Sequence, residues 1–258
     1  MQGRRFSQFP LVERFMGLRM EVDFSSLRPG RTRVVESVRR LARELSYGFI
    51  HALWWVRLED GRTAASVPPG AGKAVSRMLR GVRSDEGIFD PELAGKLSQP
   101  VNESLAAARL PAADRALHHL CFASSGALLR RHSLAECTRL VDQSLPAARD
   151  LTLPAHCLGD GIAFAVVADG TVVSFAFAHR TGVMEDKVAD IGVETAPGYR
   201  SRGYARAAVS AVAAHVIDRG GEATYSCDPH NAASIATAAS AGFAPWGKSL
   251  ILAARAPA

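Results

Sequence analysis

The stretch "VETAPGYRSRGYARAAVSAV", Val193 to Val212, holds three arginines between Arg200 and Arg206 and no acidic residue after Glu194. It starts strand-like and ends helix-like, with Ala205, Val209, Val212 and, just beyond, Val216 at helical spacing. That inner face is small, so the helix can pack close to a sheet. The first turn of a helix carries unsatisfied N–H groups and the positive end of the macrodipole, which together attract anions. Gly203 and Ala205 leave this backbone uncluttered, and Arg200 and Arg202 can add charge-assisted bonds. On its own the stretch reads either as an anion cradle or as a basic surface loop.

Its neighbours organise the second half of the chain. "KVADIGVET" is a strand leading into it, and "GIAFAVVADGTVVSFAFAH" is an apolar hairpin around Asp169-Gly170. After it come a strand in "EATYSC", a break at "DPHN" and a helix in "AASIATAAS" ended by Gly242. "FAPWGKSLILAAR" closes the chain as a hairpin or strand pair. The order from Gly161 is β-β-β-α-β-α-β, a mixed sheet with a ligand slot beside its third strand. Upstream, "HSLAECTRLVDQSL" is expected to be a helix with Ser133 and Glu136 at capping-box spacing.

The first third reads as a smaller mixed unit. "RTRVVESVRRLARELSYG" spaces Val34, Val38, Leu41 and Leu45 as an amphipathic helix stopped by Gly48. "FIHALWWVRLEDGRTAASV" forms two strands around "EDG", with Trp54 and Trp55 on opposite faces. From Pro68 to Pro111 the pattern is broken by Pro and Gly, with short helical pieces such as "KAVSRMLRG". "PPGAGKAVS" imitates a phosphate-binding loop, but that motif needs Gly where Val67 stands and Ser or Thr where Ala74 stands.

Composition bounds the function classes. The chain has 258 residues, 48% hydrophobic and 22% charged, enough for a substantial core. No run of ~20 apolar residues suggests a membrane span, and the N-terminal stretch lacks the pattern of a secretory signal. Cys121, Cys137, Cys157 and Cys227 are scattered without a CxxC pair, so the expectation is reduced thiols in the cytoplasm and no zinc site. His118 and His119 lack acidic or Cys companions at ligand spacing and read as structural, so no metal is expected. The net charge is +6, and 27 of the 31 basic residues are Arg. Guanidinium groups suit phosphate and carboxylate. The interleaved aromatics of a single-strand nucleic-acid binder are missing.

Thr195-x-Pro197-x-Tyr199-Arg200-x-Arg202-Gly203-x-Ala205 resembles the Arg/Gln-x-x-Gly-x-Gly/Ala motif of the GNAT superfamily of acyl-CoA N-acyltransferases. "YSCDPHNAASIATAASAGF" is similar to the next segment of that family, with Asn231 and Gly242-Phe243 at the expected separation. Tyr-x-Cys followed by Asn-x-x-Ser looks like the branch of zwittermicin-resistance-type and glycine N-acyltransferase-like enzymes. The resemblance covers roughly residues 115–258. It implies an α+β fold with a mixed, mostly antiparallel central sheet flanked by helices. Residues 1–114 would form an extra N-terminal α/β region whose role is open.

The resemblance further implies transfer of an acyl group, most often acetyl, from acyl-CoA to an amine. Acetyl-CoA or another acyl-CoA would be the co-substrate. Arg200, Ser201, Arg202, Gly203, Tyr204 and Ala205 would hold its pyrophosphate. Backbone groups of Val193 and Thr195 would bond the acyl carbonyl and pantetheine arm. Asn231 and Ser234 would meet the pantetheine, or Asn231 would simply cap its helix. Asp190 and Glu194 are the candidate bases, or else solvated charges or partners of Lys187 or Arg200. They fall on the strand face opposite Val193 and Thr195, so a bulge or another base would be required. The family's usual acid is a Tyr where this chain has Ala238. That departure motivates a second reading, an acyl-CoA-binding or regulatory module. The expected partner is a small-molecule amine, with no nucleic acid and no membrane; a homodimer is left open.

Overall fold

The computed structural model describes residues 7–44, 48–82, 85–132, 137–139, 150–152 and 161–256. In chain order the elements are α1 (Pro10–Met20), β1 (Thr32–Glu36), β2 (Phe49–Leu58), β3 (Thr63–Val67), α2 (Gly72–Leu79), α3 (Pro91–Ala107) and β4 (Ala113–Ser124). They continue with β5 (Cys137–Arg139), β6 (Ala163–Ala168), β7 (Thr171–Ala178), β8 (Val188–Thr195), α4 (Tyr204–Ile217), β9 (Glu222–Cys227), α5 (Ala232–Ala241) and β10 (Ala244–Arg255). The class is the expected one: α+β, with mostly antiparallel strand pairs and helices flanking them. No helix among the described residues is long and apolar enough to cross a membrane.

Two compact units divide the chain. One comprises Glu13–Cys121, Cys227–His230 and Pro245–Ala258. Its strands run in the order β1-β3-β2-β10-β4. β2 pairs antiparallel with both β3 and β10, and β1 pairs parallel with β3. Trp55, Leu53, Leu97, Val101 and Leu105 are buried in its core, and the Trp55 indole N–H donates to Thr63 Oγ1 at 2.9 Å. Trp54 is buried too.

Three sequence expectations in this unit are corrected. The helix expected from Val34 to Leu45 is the strand β1 followed by a short 3-10 turn, Val38–Leu41. Val34 and Val35 are β-branched, and pairing with β3 outweighs the helical spacing. Val38 is 71% exposed, the reverse of what that helix would need. "FAPWGKSLILAAR" is one long strand, β10, with an irregularity between Leu252 and Ala253. Gly247 does not break it; a Cβ there would lie 2.5 Å from the Arg57 carbonyl, so the position needs a residue without one. The region expected to be broken into short helical pieces holds one where expected, α2, but also the 17-residue α3, capped by Asp90, begun by Pro91 and continuing through Pro100.

The mimic of a phosphate loop is closed off chemically. Gly72 N–H, at the start of α2, donates to Glu36 Oε1 at 2.8 Å, so a carboxylate already occupies that helix N-terminus.

The other unit comprises Met1–Val12, Phe122–Ser226 and Asn231–Ala244. Its strands run β9-β8-β7-β6-β5. β5 to β8 pair antiparallel in succession, and β8 pairs parallel with β9. The β6–β7 turn has Asp169 at φ 51° and Gly170 at φ 70°, as a two-residue hairpin requires. The helix expected from "HSLAECTRLVDQSL" lies mostly outside the described residues. Where Cys137–Arg139 is described it is strand β5, pairing with β6, so that expectation is corrected there. β9 and α5 stand where expected.

Candidate acyl-transfer site

Strand pairing opens the site. The antiparallel register of β7 with β8 runs without a break from Ala178↔Ile191 to Ser174↔Thr195. The parallel register of β8 with β9 covers only Val188↔Glu222 to Ile191↔Tyr225. From Gly192 to Thr195, β8 therefore keeps one partner and has left the other. Burial follows: Val188 to Ile191 are buried, while Gly192, Val193 and Thr195 are half-buried and Glu194 is exposed. Because β8 and β9 are parallel neighbours, α4 and α5 both begin at their carboxyl ends, the usual ligand edge of such a pair.

The connection from β8 to α4 is shaped by its residue types. Ala196 is buried and its N–H donates to the Val173 carbonyl at 2.9 Å, anchoring the chain as it leaves the strand. Pro197–Tyr199 makes a 3-10 turn. Ser201 at φ 61° and Gly203 at φ 81° then bend the backbone through the left-handed region. Gly203 is the N-cap of α4 and supplies no side-chain bond to the first-turn N–H groups of Tyr204 to Arg206. Those N–H groups stand at the positive end of the helix dipole, a position that favours anions in general.

Side chains surround this turn. Arg200 Nε donates to the Thr195 carbonyl at 3.3 Å. The Arg202 guanidinium lies 5.1 Å from the Tyr199 ring centroid. Tyr199 is fixed from the hairpin, its hydroxyl donating to Asp169 Oδ2 at 3.0 Å. Further into α4, an Arg206 Nη is 2.8 Å from His132 Nδ1. Burial and the Arg206 cation hold the His132 imidazole below its ordinary value. His132 N–H donates to Ser210 Oγ at 3.0 Å, and Ser210 Oγ donates to the Arg130 carbonyl at 3.1 Å, so residues 130–132 are strapped along α4.

The structure brings Val193, Thr195 and Arg200 to Ala205 together on one continuous connection. Asn231 and Ser234 stand at the start of α5, where Asn231 Oδ1 accepts from Ser234 N–H at 3.0 Å as an N-cap. The Thr195 hydroxyl is 2.7 Å from Ser174 Oγ.

The two carboxylates occupy the other face. With no bulge against β7, Asp190, Gly192 and Glu194 share a face with Phe175 and Phe177, while Val193 and Thr195 share one with Ser174 and Ala176. Phe164, paired with Ala176, meets His215 of α4 ring to ring at 6.0 Å, so α4 lies on the Val193 and Thr195 face. Asp190 is buried and Glu194 exposed. Ala238, where the family's Tyr would stand, is fully buried, and its carbonyl accepts from Phe243 N–H at 3.0 Å. The Cys227 thiol is pushed up to about 11 by burial and by Asp228, so it stays protonated.

Sequence reasoning missed Gly192 and His179. A Cβ on Gly192 would lie 2.7 Å from Phe177 Cζ and 2.9 Å from His179 Nε2, so the His179 ring fills the space over this glycine. Only strand pairing brings the two together, and no local motif announces it.

A cleft of about 380 Å³ is bordered by Ile162, His179, Glu185, His215 and Arg219, among others. It lies near the C-terminal end of α4, about 20 Å along the helix from its N-terminus. Among the described residues no group of three or more His, Cys, Asp or Glu could hold a metal ion.

Comparison with solved structures finds a GNAT-family protein from Novosphingobium aromaticivorans, 21% identical, covering 56% of this chain and 67% of that one with TM-score 0.46. A GNAT-family acetyltransferase from Colwellia psychrerythraea is 15% identical, covering 59% of this chain with TM-score 0.42. This chain spans 62% of that protein's length. A GCN5-related N-acetyltransferase from Kribbella flavida is 16% identical, covering 66% of this chain and 77% of that one with TM-score 0.41. No curated protein gives a significant match. Residues 131–243, which contain β6 to β9, α4, α5 and the whole β8–α4 connection, match the Acetyltransferase (GNAT) family.

Proposed function

We propose that this protein is an N-acyltransferase that moves an acyl group, acetyl foremost, from acyl-CoA to the amine of a small acceptor. The observation that carries the reading is the uncapped N-terminus of α4, set behind the left-handed Ser201–Gly203 turn where β8 parts from β9. The family match over residues 131–243 supports it.

Arg200, Ser201, Arg202, Gly203, Tyr204 and Ala205 would hold the pyrophosphate through backbone N–H groups and two guanidiniums. Backbone groups of Val193 and Thr195, beyond the last β9 partner, would bond the acyl carbonyl and the pantetheine arm. A donor aimed at the thioester carbonyl would steady the charge that develops there. The Asn231 oxygen serves the α5 cap, leaving its amide N–H groups for the pantetheine, with Ser234 beside it. Asp190 and Glu194, on the opposite face of an unbulged β8, would supply negative charge beside the reaction, and proton acceptance would fall to another base. The chemistry is assigned to residues 115–258. The proposed setting is the cytoplasm, with a small amine as partner.

Ala238 favours a second reading, an acyl-CoA-binding module without turnover. Thiol release from acetyl-CoA, assayed across a panel of primary amines, separates the two. Amine-dependent release supports the enzyme; binding of coenzyme A with no release from any amine supports the module.

A further inference from the structure

The face of β8 that carries both carboxylates has a third ionisable neighbour. His179 follows β7, and its N–H donates to the Asp190 carbonyl at 2.8 Å, which places His179 directly opposite Asp190 across the two strands. Continuing the β7–β8 register, His179 falls on the same face as Phe177, Gly192 and Asp190. Its imidazole packs edge-on against Phe177, with centroids 4.8 Å apart. Phe175 stacks on Phe177 in turn at 5.8 Å. The ring is thus held from behind, and its Nε2 reaches over Gly192, 2.9 Å from where a Cβ would stand.

Gly192 is the first residue of β8 beyond the last β9 pair. An imidazole nitrogen, only half-buried, therefore stands at the point where the slot opens. Asp190 lies on one side of it and Glu194 on the other along the same face. Imidazole suits proton transfer near neutral pH better than either carboxylate.

From this geometry we propose that His179 is the catalytic base of the acyl transfer, taking the proton directly from the acceptor amine. The inference rests on the acyltransferase reading above and narrows the role of the carboxylates. The amine nitrogen gives one N–H proton to His179 Nε2 as its electron pair forms the new C–N bond to the acyl carbon. The C–S bond breaks, and the departing thiolate recovers that proton from the imidazolium. Asp190 and Glu194 steady the imidazolium by charge. A side chain at position 192 would collide with the Phe177 ring and displace the base.

The charged surroundings of His179 come from three elements. β8 supplies Asp190 and Glu194 on the same face, the β7–β8 loop supplies Arg180, Glu185 and Asp186, and α4 supplies His215 and Arg219, which border the cleft from the opposite face of the sheet. Arg180 is tied to Glu185 at 2.9 Å.

The test compares wild type, H179Q, H179A, G192A and the H179A/G192A double variant, using acetyl-CoA and the panel of primary amines. H179Q is expected to keep coenzyme A affinity within about twofold and to lose about 100-fold in kcat. The low-pH limb of its kcat profile should vanish, because only neutral imidazole accepts the proton. G192A should lose part of the activity by pushing the ring aside, and the double variant should be no slower than H179A. A readout independent of turnover is the His179 ring signal in NMR, assigned by its absence in H179Q. Its titration midpoint should coincide with that limb. Full kcat and an unchanged pH profile in H179Q, or non-coincident midpoints, would overturn the assignment of the base while leaving the acyltransferase reading standing. Wild-type protein that binds coenzyme A but serves no amine would overturn both. If H179Q unfolds, H179A supplies the assignment, and G192A with the wild-type titration still decides.

Discussion

Thr195 stands directly opposite Ser174 in the β7–β8 register, and their hydroxyls are 2.7 Å apart at the last paired position before the cradle. Ser174 is fully buried and also donates to the Glu194 carbonyl at 3.1 Å, so Thr195 is the donor of the hydroxyl pair. The T195V variant keeps the shape and removes that donor. It is expected to lose about 1 kcal/mol of stability by urea unfolding, the net worth of one such bond. No change in midpoint would mean the pair does not anchor the end of β8.

Gly203 holds φ 81°, and a Cβ there would meet only His132 Nε2, at 3.8 Å. Space is therefore not the constraint; backbone conformation is. G203A should cost roughly 1–2 kcal/mol, and it should also weaken coenzyme A binding by disturbing the turn that aims the first N–H groups of α4. Calorimetry and thermal unfolding read the two effects separately.

The C-terminal end of α5 is tighter. Gly242 sits at φ 87°, and a Cβ would lie 2.1 Å from the Leu128 carbonyl oxygen and 2.7 Å from Arg130 N. Both are backbone atoms that cannot swing away. G242A is expected to cost roughly 3 kcal/mol in chemical denaturation, clearly more than G203A. Equal costs would contradict this packing.

The other unit carries a buried charge cluster whose pH response has a definite sign. Arg19 Nη2 donates to Glu44 Oε2 at 3.1 Å, and Arg40 lies 3.6 Å from Glu44 Oε1. Burial pushes the nearby His51 imidazole down to about 3, with Glu44 opposing and Arg19 and Arg40 assisting. Burial alone would raise the Glu44 carboxyl, but Arg19, His51 and Arg40 outweigh it and hold it below its ordinary value. Between pH 6.5 and about 3 the unfolded chain binds a proton at His51 that the folded chain refuses. Stability should therefore fall on acidification through that window, at up to about 1.4 kcal/mol per pH unit. Glu44 adds a loss of the same sign below its unfolded value. An H51L variant should flatten the upper part of the window. E44A should cost about 3–5 kcal/mol at neutral pH, because it takes the carboxylate away from two buried guanidiniums.

Local chemistry was legible in the sequence, and pairing between distant strands was not. Asp169-Gly170 announced its hairpin because two adjacent positive φ values demand such residues. The Arg200–Ala205 turn was legible because strand, glycine and small-faced helix succeed one another directly. Asn231 read equally as ligand contact or N-cap, and its side chain does cap α5. Val34, Val38 and Leu41 fit a helix by spacing, yet β3 recruits the first of them into a parallel pair. No local pattern predicts that. "FAPWGKSLILAAR" reads as a hairpin or strand pair, yet pairing with β2, Leu58 opposite Gly247, keeps it one strand. His179 and Gly192 were silent for the same reason: their meeting depends on the β7–β8 register.

The central claim, that the β8–α4 turn cradles the pyrophosphate of an acyl-CoA, is tested most directly by calorimetric titration of coenzyme A into wild type and R202E. Pantetheine, which lacks the pyrophosphate, serves as the control ligand. Removing one charge-assisted contact and adding a like charge should weaken coenzyme A at least about tenfold and leave pantetheine unaffected. Equal coenzyme A affinity in the two proteins would contradict the account.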